Sequence, residues 1–322
     1  MLDSDAVANA RLGFAGTPEF AAVALRHLVA AGVKPELVLT QPDRPAGRGR
    51  KLRASAVKSL ALDEGLSVEQ PRSLKPPEVV ESLELHRLDL LIVAAYGLLL
   101  PQAVLDAPRL GCVNIHASLL PRWRGAAPIV WAIAEGDASS GVCLMQMEAG
   151  LDTGPVLAEQ QTPIRDDETA ADLHDRLAQL GGNLLAHALP DLLAGALTAA
   201  PQDDAHATYA RKLVREDGLV DWGQDAQWID RRIRAFNPYP GCVARLDDQS
   251  IKLWRSELLS VDDNGGMPPG AVLRVSADGI DVACGRGAVR LTQLQRPGRG
   301  RVSAEAFANA LSLDGKRFQN GA

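Results

Sequence analysis

Residues 90–95, Leu-Leu-Ile-Val-Ala-Ala, form an apolar run with no polar interruption. A short run without alternation reads as a strand covered on both faces, the habit of a parallel sheet. The wider stretch 88–100 contains Asp89 and is too short to span a bilayer. Parallel strands need helical crossovers, and the pattern supplies them. Strands over 11–15, 36–40, 90–95 and 112–116 alternate with helical segments over 19–31, 55–64, 77–85, 101–106 and 126–135. Residues 141–148 alternate more and predict an outer or antiparallel strand. A long helix over 169–193 closes the series. This order predicts an α/β, doubly wound (Rossmann-like) N-terminal domain.

The rhythm changes after residue 194. Residues 195–208, with Pro201 and two aspartates, predict an exposed linker. A helix follows over 226–235, then five short strands over 242–246, 251–256, 271–275, 280–283 and 288–294. A last helix over 303–313 has Ser303 as its N-cap. Five short strands predict a smaller C-terminal β-barrel of OB-like type. The expected organisation is a frayed, disordered tail over 1–10, a first domain over 11–194, a linker over 195–208 and a second domain over 209–322.

Charge separates the two halves. Residues 1–206 carry 17 basic and 26 acidic side chains, residues 207–322 carry 17 and 14. The second half is the better candidate for meeting a polyanion. Cys112, Cys143, Cys242 and Cys284 show no metal-type spacing, and the six histidines form no ligand cluster. They predict reduced, buried thiols in a cytoplasmic protein without a metal. The N-terminus, with two aspartates and no basic residue before Arg11, does not read as a secretory signal.

The chemistry concentrates at the end of the strand over 112–116. Side chains alternate along a strand, so Asn114 and His116 share a face while Val113 and Ile115 pack on the other. Open α/β sheets place ligands at such strand ends. An amide and an imidazole there can stabilise one oxyanion and handle one proton. Asp152 lies in the Gly-rich turn Glu148-Ala149-Gly150-Leu151-Asp152-Thr153-Gly154-Pro155. An aspartate in a turn is often only a turn residue. Beside an imidazole, its carboxylate would favour the charged ring and fix its tautomer.

Taken together, Asn114-x-His116, Ser118-Leu119-Leu120-Pro121 and Gly150-Leu151-Asp152-Thr153-Gly154 resemble the folate-dependent formyltransferases. Further segments are similar to the branch of that family whose acceptor is initiator methionyl-tRNA. They are Phe14-Ala15-Gly16-Thr17-Pro18, residues 41–49, Ala95-Tyr96-Gly97, residues 121–128 and Arg234-Ala235-Phe236-Asn237-Pro238-Tyr239-Pro240-Gly241. Ala117 and Tyr239 replace residues that are often Gly and Trp in these motifs, and neither change removes a functional group. The resemblance implies 10-formyltetrahydrofolate as formyl donor and co-substrate, with Asn114, His116 and Asp152 as the catalytic residues. It implies folate contacts from Ser118, Leu119, Leu120 and Pro121, with Tyr96 and Gly97 lining the same pocket.

The segment from Arg44 to Lys58 carries six basic residues and no acid. Its ordinary explanation is a solvated loop. Inside an acidic domain, just after a strand end, it suits a phosphate-binding arm. The resemblance gives it the tRNA acceptor arm, with Arg48 as the matching arginine beside Arg44, Arg50, Lys51 and Arg53. Lys212 joins them from a basic cluster with Arg211 and Arg215, and Arg231, Arg232 and Arg234 form another. The expected form is a monomer with no membrane partner. One alternative is a formyltransferase for an amino-sugar nucleotide or other small amine, which has no use for the basic arm. A dinucleotide reading of Gly13-Phe14-Ala15-Gly16-Thr17-Pro18 lacks the third glycine, and Pro18 removes an amide. A noncatalytic tRNA-binding protein would not need the polar trio.

Overall fold

A computed structural model describes residues 9–46, 51–259 and 266–321. The chain divides into two compact units: one of residues 1–125, 140–162 and 174–209, and one of residues 126–139, 163–173 and 210–322.

The first unit is built on a sheet of seven strands. They are β1 (Leu12–Gly16), β2 (Leu37–Leu39), β5 (Val68–Glu69), β6 (Leu90–Ala94), β7 (Cys112–His116), β9 (Ser139–Gln146) and β10 (Val156–Pro163). Their order across the sheet is β10-β9-β7-β6-β1-β2-β5. Strands β7, β6, β1, β2 and β5 run parallel, and β9 joins β7 antiparallel. All five residues of β6 are buried, as its unbroken apolar run requires.

Helices cover both faces. Helix α1 (Glu19–Ala30) buries Phe20, Val23, Leu25 and Leu28. Helix α6 (Ala170–Ala194) approaches the face that carries Ile115 and Val142. Gly181 makes that approach possible, since a Cβ there would meet Ile115 Cγ2 at 2.9 Å. On the opposite face, Leu91, Val93 and Cys112 join Leu83 of α3 (Pro77–Leu85) and Val104 and Leu105 of α4 (Gln102–Asp106) in one core cluster. Cys112, Asn114 and His116 therefore line the α3/α4 face, as a period of two dictates. Helix α2 (Ala56–Asp63) starts at Ser55, whose hydroxyl accepts the Lys58 amide at 3.0 Å.

Three pieces of this unit escaped the sequence pattern. The two residues of β5 are too short to show a period. The outer half of β10 is exposed and polar. Strands β3 (Arg44–Ala46) and β4 (Lys51–Arg53) pair antiparallel where a loop was expected.

The second unit is an antiparallel half-barrel. Its strands are β12 (Cys242–Leu246), β13 (Gln249–Leu258), β14 (Val272–Val275), β15 (Ile280–Ala283), β16 (Ala288–Gln295), β17 (Arg301–Ser303) and β18 (Phe318–Gln319). The order is β14-β15-β16-β13-β12-β18, with β17 added to β16. The five expected strands are present, and β17 and β18 join them. Register shifts between β13 and β16 at Leu253–Ser256 mark the bulges that bend such a sheet. Helix α7 (Ala226–Ala235) packs against α5 (Pro128–Glu135), where Trp131 meets Phe236 edge-on at 6.2 Å. Helix α8 (Ala304–Asn309) starts at Ser303, whose hydroxyl accepts the Ala306 amide, and ends earlier than the pattern suggested. No helix among the described residues is long and apolar enough to cross a membrane.

Candidate active site

Strand β7 pairs with β6 on one side and β9 on the other, so its C-terminal end is held by two neighbours. Asn114 lies opposite Met145, and His116 opposite Cys143. The Asn114 side chain is half-buried, and no described residue engages its amide. A partnerless amide at a sheet's ligand-binding edge has both its donors available.

His116 is only 6% exposed. Its Nε2 lies 3.0 Å from the carbonyl oxygen of Trp123. A carbonyl can only accept, so Nε2 carries the hydrogen in the neutral ring. Nδ1 faces the Asp152 carboxylate at 3.7 Å. That spacing is an ionic contact, not a hydrogen bond. The expected division of labour changes here. The tautomer is set by the Trp123 carbonyl, and the short hydrogen bond of Asp152 Oδ2 comes from the Gly125 amide at 2.8 Å. Both ring nitrogens thus face oxygens, Nε2 through a hydrogen bond and Nδ1 through an ionic contact.

Two loops bring these groups together. Residues 117–125 leave β7 through the cis Leu120–Pro121 peptide and place Trp123 at φ +64°. Residues 147–155 leave β9 and place Asp152 at φ +52°. Gly154 fixes how closely the second loop folds onto its strand. A Cβ there would lie 1.8 Å from the Gln146 carbonyl oxygen.

Residues 202–208 hold both loops, a role that composition gave no sign of. Thr208 accepts the Trp123 amide on Oγ1 at 2.9 Å and the Arg124 amide on its carbonyl at 2.9 Å. Gln202 donates from Nε2 to the carbonyls of Asp152 (2.9 Å) and Gly154 (2.6 Å). Arg124, 2% exposed, donates Nε to Gln202 Oε1 at 2.9 Å and pairs with Asp204 at 2.8 Å. Burial works against the Arg124 charge, but Asp204 and Tyr209 outweigh it and lift its pKa above the usual guanidinium range.

The formyl transferase family model matches residues 12–189, and the model of the formyl transferase C-terminal domain matches residues 212–312. Over 317 residues the chain is 54% identical to the methionyl-tRNA formyltransferase of Janthinobacterium sp., covering 95% of this chain and 99% of that relative. The chain belongs to the methionyl-tRNA formyltransferase family. The methionyl-tRNA formyltransferase of Methylococcus capsulatus is 52% identical, over 96% of this chain and 99% of its own. Among solved structures, the N-formyltransferase of Helicobacter canadensis, in complex with folinic acid and dTDP-3-aminofucose, shares the fold at a TM-score of 0.66 and 17% identity. That match covers 88% of this chain and 99% of the other. HypX from Aquifex aeolicus, in complex with tetrahydrofolic acid, matches at 0.61 and 20%, over 92% of this chain and 46% of that one.

Residues 118–121 are more internally engaged than the sequence suggests. Ser118 is buried and donates its hydroxyl to the Arg122 carbonyl at 2.6 Å. Leu120 packs with Cys143, Met145 and Val156. Leu119 remains partly exposed, with Pro121 beside it. Tyr96 does not line a pocket with its ring. The ring is buried in the core cluster, its hydroxyl has no partner among the described residues, and burial raises its pKa well above the phenol range. The main chain of 96–97 stays near the edge: the Tyr96 carbonyl accepts Thr17 Oγ1 at 2.9 Å and Gln41 Nε2 at 3.0 Å. Gly97 abuts Gln41, whose Nε2 would lie 2.4 Å from an added Cβ.

The basic arm divides. Arg44 and Arg53 are exposed and directly opposite each other in the β3–β4 pair. Like charges in that register repel and favour an anion between or over them. Lys51 lies on β4, and Arg48 and Arg50 lie outside the described residues. Lys58 is not available: its ammonium pairs with Asp43 at 2.8 Å and donates to Gln70 Oε1 at 2.7 Å, and hydrogen bonds to Asp43 from Lys58 and from Gln70 Nε2 hold its carboxyl below the usual range. In the second unit Lys212 is exposed. Arg232 is stacked over Trp228 at 4.0 Å, and Arg234 pairs with the buried Asp230 at 2.9 Å. These two arginines serve the interior, because α7 turns them toward its own aromatic and acidic neighbours.

Proposed function

We propose that this chain transfers the formyl group of 10-formyltetrahydrofolate to the α-amino group of methionyl initiator tRNA, for translation initiation in the cytoplasm. The observation that carries this reading is the Asn114 amide, which no described residue engages, beside the His116–Asp152 contact, in a chain 54% identical to a methionyl-tRNA formyltransferase. Formyl transfer joins the amine nitrogen to the formyl carbon and puts negative charge on the formyl oxygen. The bond to the donor nitrogen then breaks. The amine loses one proton and the departing nitrogen gains one.

Each residue takes one part of that balance. Asn114 donates its side-chain N–H to the oxyanion, a contact of the kind whose loss costs about 2.7–4 kcal/mol at the transition state. His116 carries the proton at Nδ1, since Nε2 is held by the Trp123 carbonyl. Asp152 stabilises the ring while it is charged and is itself fixed by the Gly125 amide. Leu119, Pro121 and the main chain at Ser118, Leu120 and 96–97 offer the folate its contacts. The β3 and β4 charges Arg44, Lys51 and Arg53, with Arg48, Arg50 and Lys212, meet tRNA phosphates.

The test is one transfer assay with three acceptors: initiator methionyl-tRNA, free methionine and an amino-sugar nucleotide. Transfer is expected to the aminoacylated tRNA, with the small amines far slower. Preferential transfer to the amino-sugar nucleotide would overturn the tRNA assignment.

A further inference from the structure

Asp152 sits on a loop, and loops hold side chains less tightly than strands do. Something outside the loop must fix its main chain. Gln202 is far along the chain, yet all three hydrogen-bonding positions of its carboxamide that are used converge here. Its NH2 spans two carbonyls of the loop, at Asp152 and Gly154, while its oxygen accepts from buried Arg124. Arg124 directly precedes Gly125, the residue whose amide holds the Asp152 carboxylate. The carboxamide thus ties the main chain of Asp152 to the segment that grips its side chain. Only an amide does this, because the site asks for two donors and one acceptor in one plane.

We propose that Gln202 is a positioning residue for formyl transfer, setting the approach of the Asp152 carboxylate to His116 through the Asp152 and Gly154 carbonyls. This rests on the reading of Asp152 as a catalytic residue. Gln202→Ala removes the tie. Gln202→Glu keeps an acceptor for Arg124 but replaces the two donors with an oxygen that repels both carbonyls.

The experiment is single-turnover and steady-state formyl transfer by the full-length parent, Gln202→Ala, Gln202→Glu, Asp152→Asn and the Gln202→Ala/Asp152→Asn double variant, with thermal unfolding of each. Both Gln202 variants are expected to lose about 10- to 100-fold in kcat, the scale of a misplaced catalytic group, with KM for tRNA near the parent's. In the Asp152→Asn background Gln202→Ala should cost little more, because the group it positions is already disabled. Parent-like turnover by Gln202→Glu would mean that the residue only satisfies Arg124, and would overturn the proposal. An equal fold-loss from Gln202→Ala in both backgrounds would make its effect a general structural one and overturn it too. A near-normal kcat for Asp152→Asn alone would sink the reading of Asp152, and the proposal with it. A large loss there beside a parent-like Gln202→Ala would sink only the positioning role.

Discussion

The imidazole of His116 gives its Nε2 to the carbonyl oxygen of Trp123, 3.0 Å away, and turns Nδ1 toward the carboxylate of Asp152. A main-chain group therefore fixes the tautomer, and no side-chain substitution removes it. What can be removed is the ring. His116→Ala is expected to lower kcat by about 10²–10⁴-fold, the usual range for a general acid–base group. Unfolding transitions of parent and variant check that the fold survives. Turnover within a few-fold of the parent would take His116 out of the proton transfer.

Gly154→Ala tests whether the loop of Asp152 must lie where it does. The added Cβ would fall 1.8 Å from the Gln146 carbonyl, and backbone cannot yield as a long side chain can. The loop should move, with a stability loss of about 1–3 kcal/mol, as for other overpacked sites. Turnover should fall further than stability does, because Asp152 moves with the loop. Denaturant unfolding beside steady-state kinetics separates the two effects. Parent-like turnover would show that the position of the loop is unimportant.

Arg44 and Arg53 face each other across the β3–β4 pair, and a bound phosphate would relieve their repulsion. Arg53→Ala is expected to weaken tRNA binding and to lower the slope of log affinity against log salt by about 1, one phosphate contact. Filter binding across a salt series reads it. An unchanged slope would leave the strand pair as a merely solvated segment.

Cys112, Cys143, Cys242 and Cys284 are all buried, and burial pushes each thiol up to about 12. At pH 8 only about 1 in 10,000 is then thiolate, the reactive form. The native protein should resist alkylation at that pH and react fully once unfolded. Mass spectrometry after iodoacetamide treatment decides this, and fast native alkylation would contradict the burial.

Much of this was legible before any coordinates. β6 and β7 announce themselves by an unbroken apolar run and by an alternating one, and β7 carries Asn114 and His116 to one face by its period alone. Among the anticipated strands of the half-barrel, β12 buries alternate residues and β15 is buried throughout. What escaped had weak local signals. β18 has two residues, β17 has three, and β5 has no room for a period. The work of Gln202 was invisible for another reason. A glutamine between a proline and two aspartates has the composition of a linker, and only tertiary contacts reveal that its amide holds two loops. The reach of Asp152 was likewise half legible: its neighbourhood to His116 is real, but its shortest bond goes to a main-chain amide that no sequence pattern marks.

The Asn114 amide at the end of β7 is expected to bind the oxyanion formed during transfer. Single-turnover formyl transfer from 10-formyltetrahydrofolate to initiator methionyl-tRNA, at saturating enzyme, measures that step alone. Asn114→Ala should slow it by about 10²–10³-fold with affinity for tRNA unchanged. A rate matching the parent's would show that Asn114 does not bind the oxyanion.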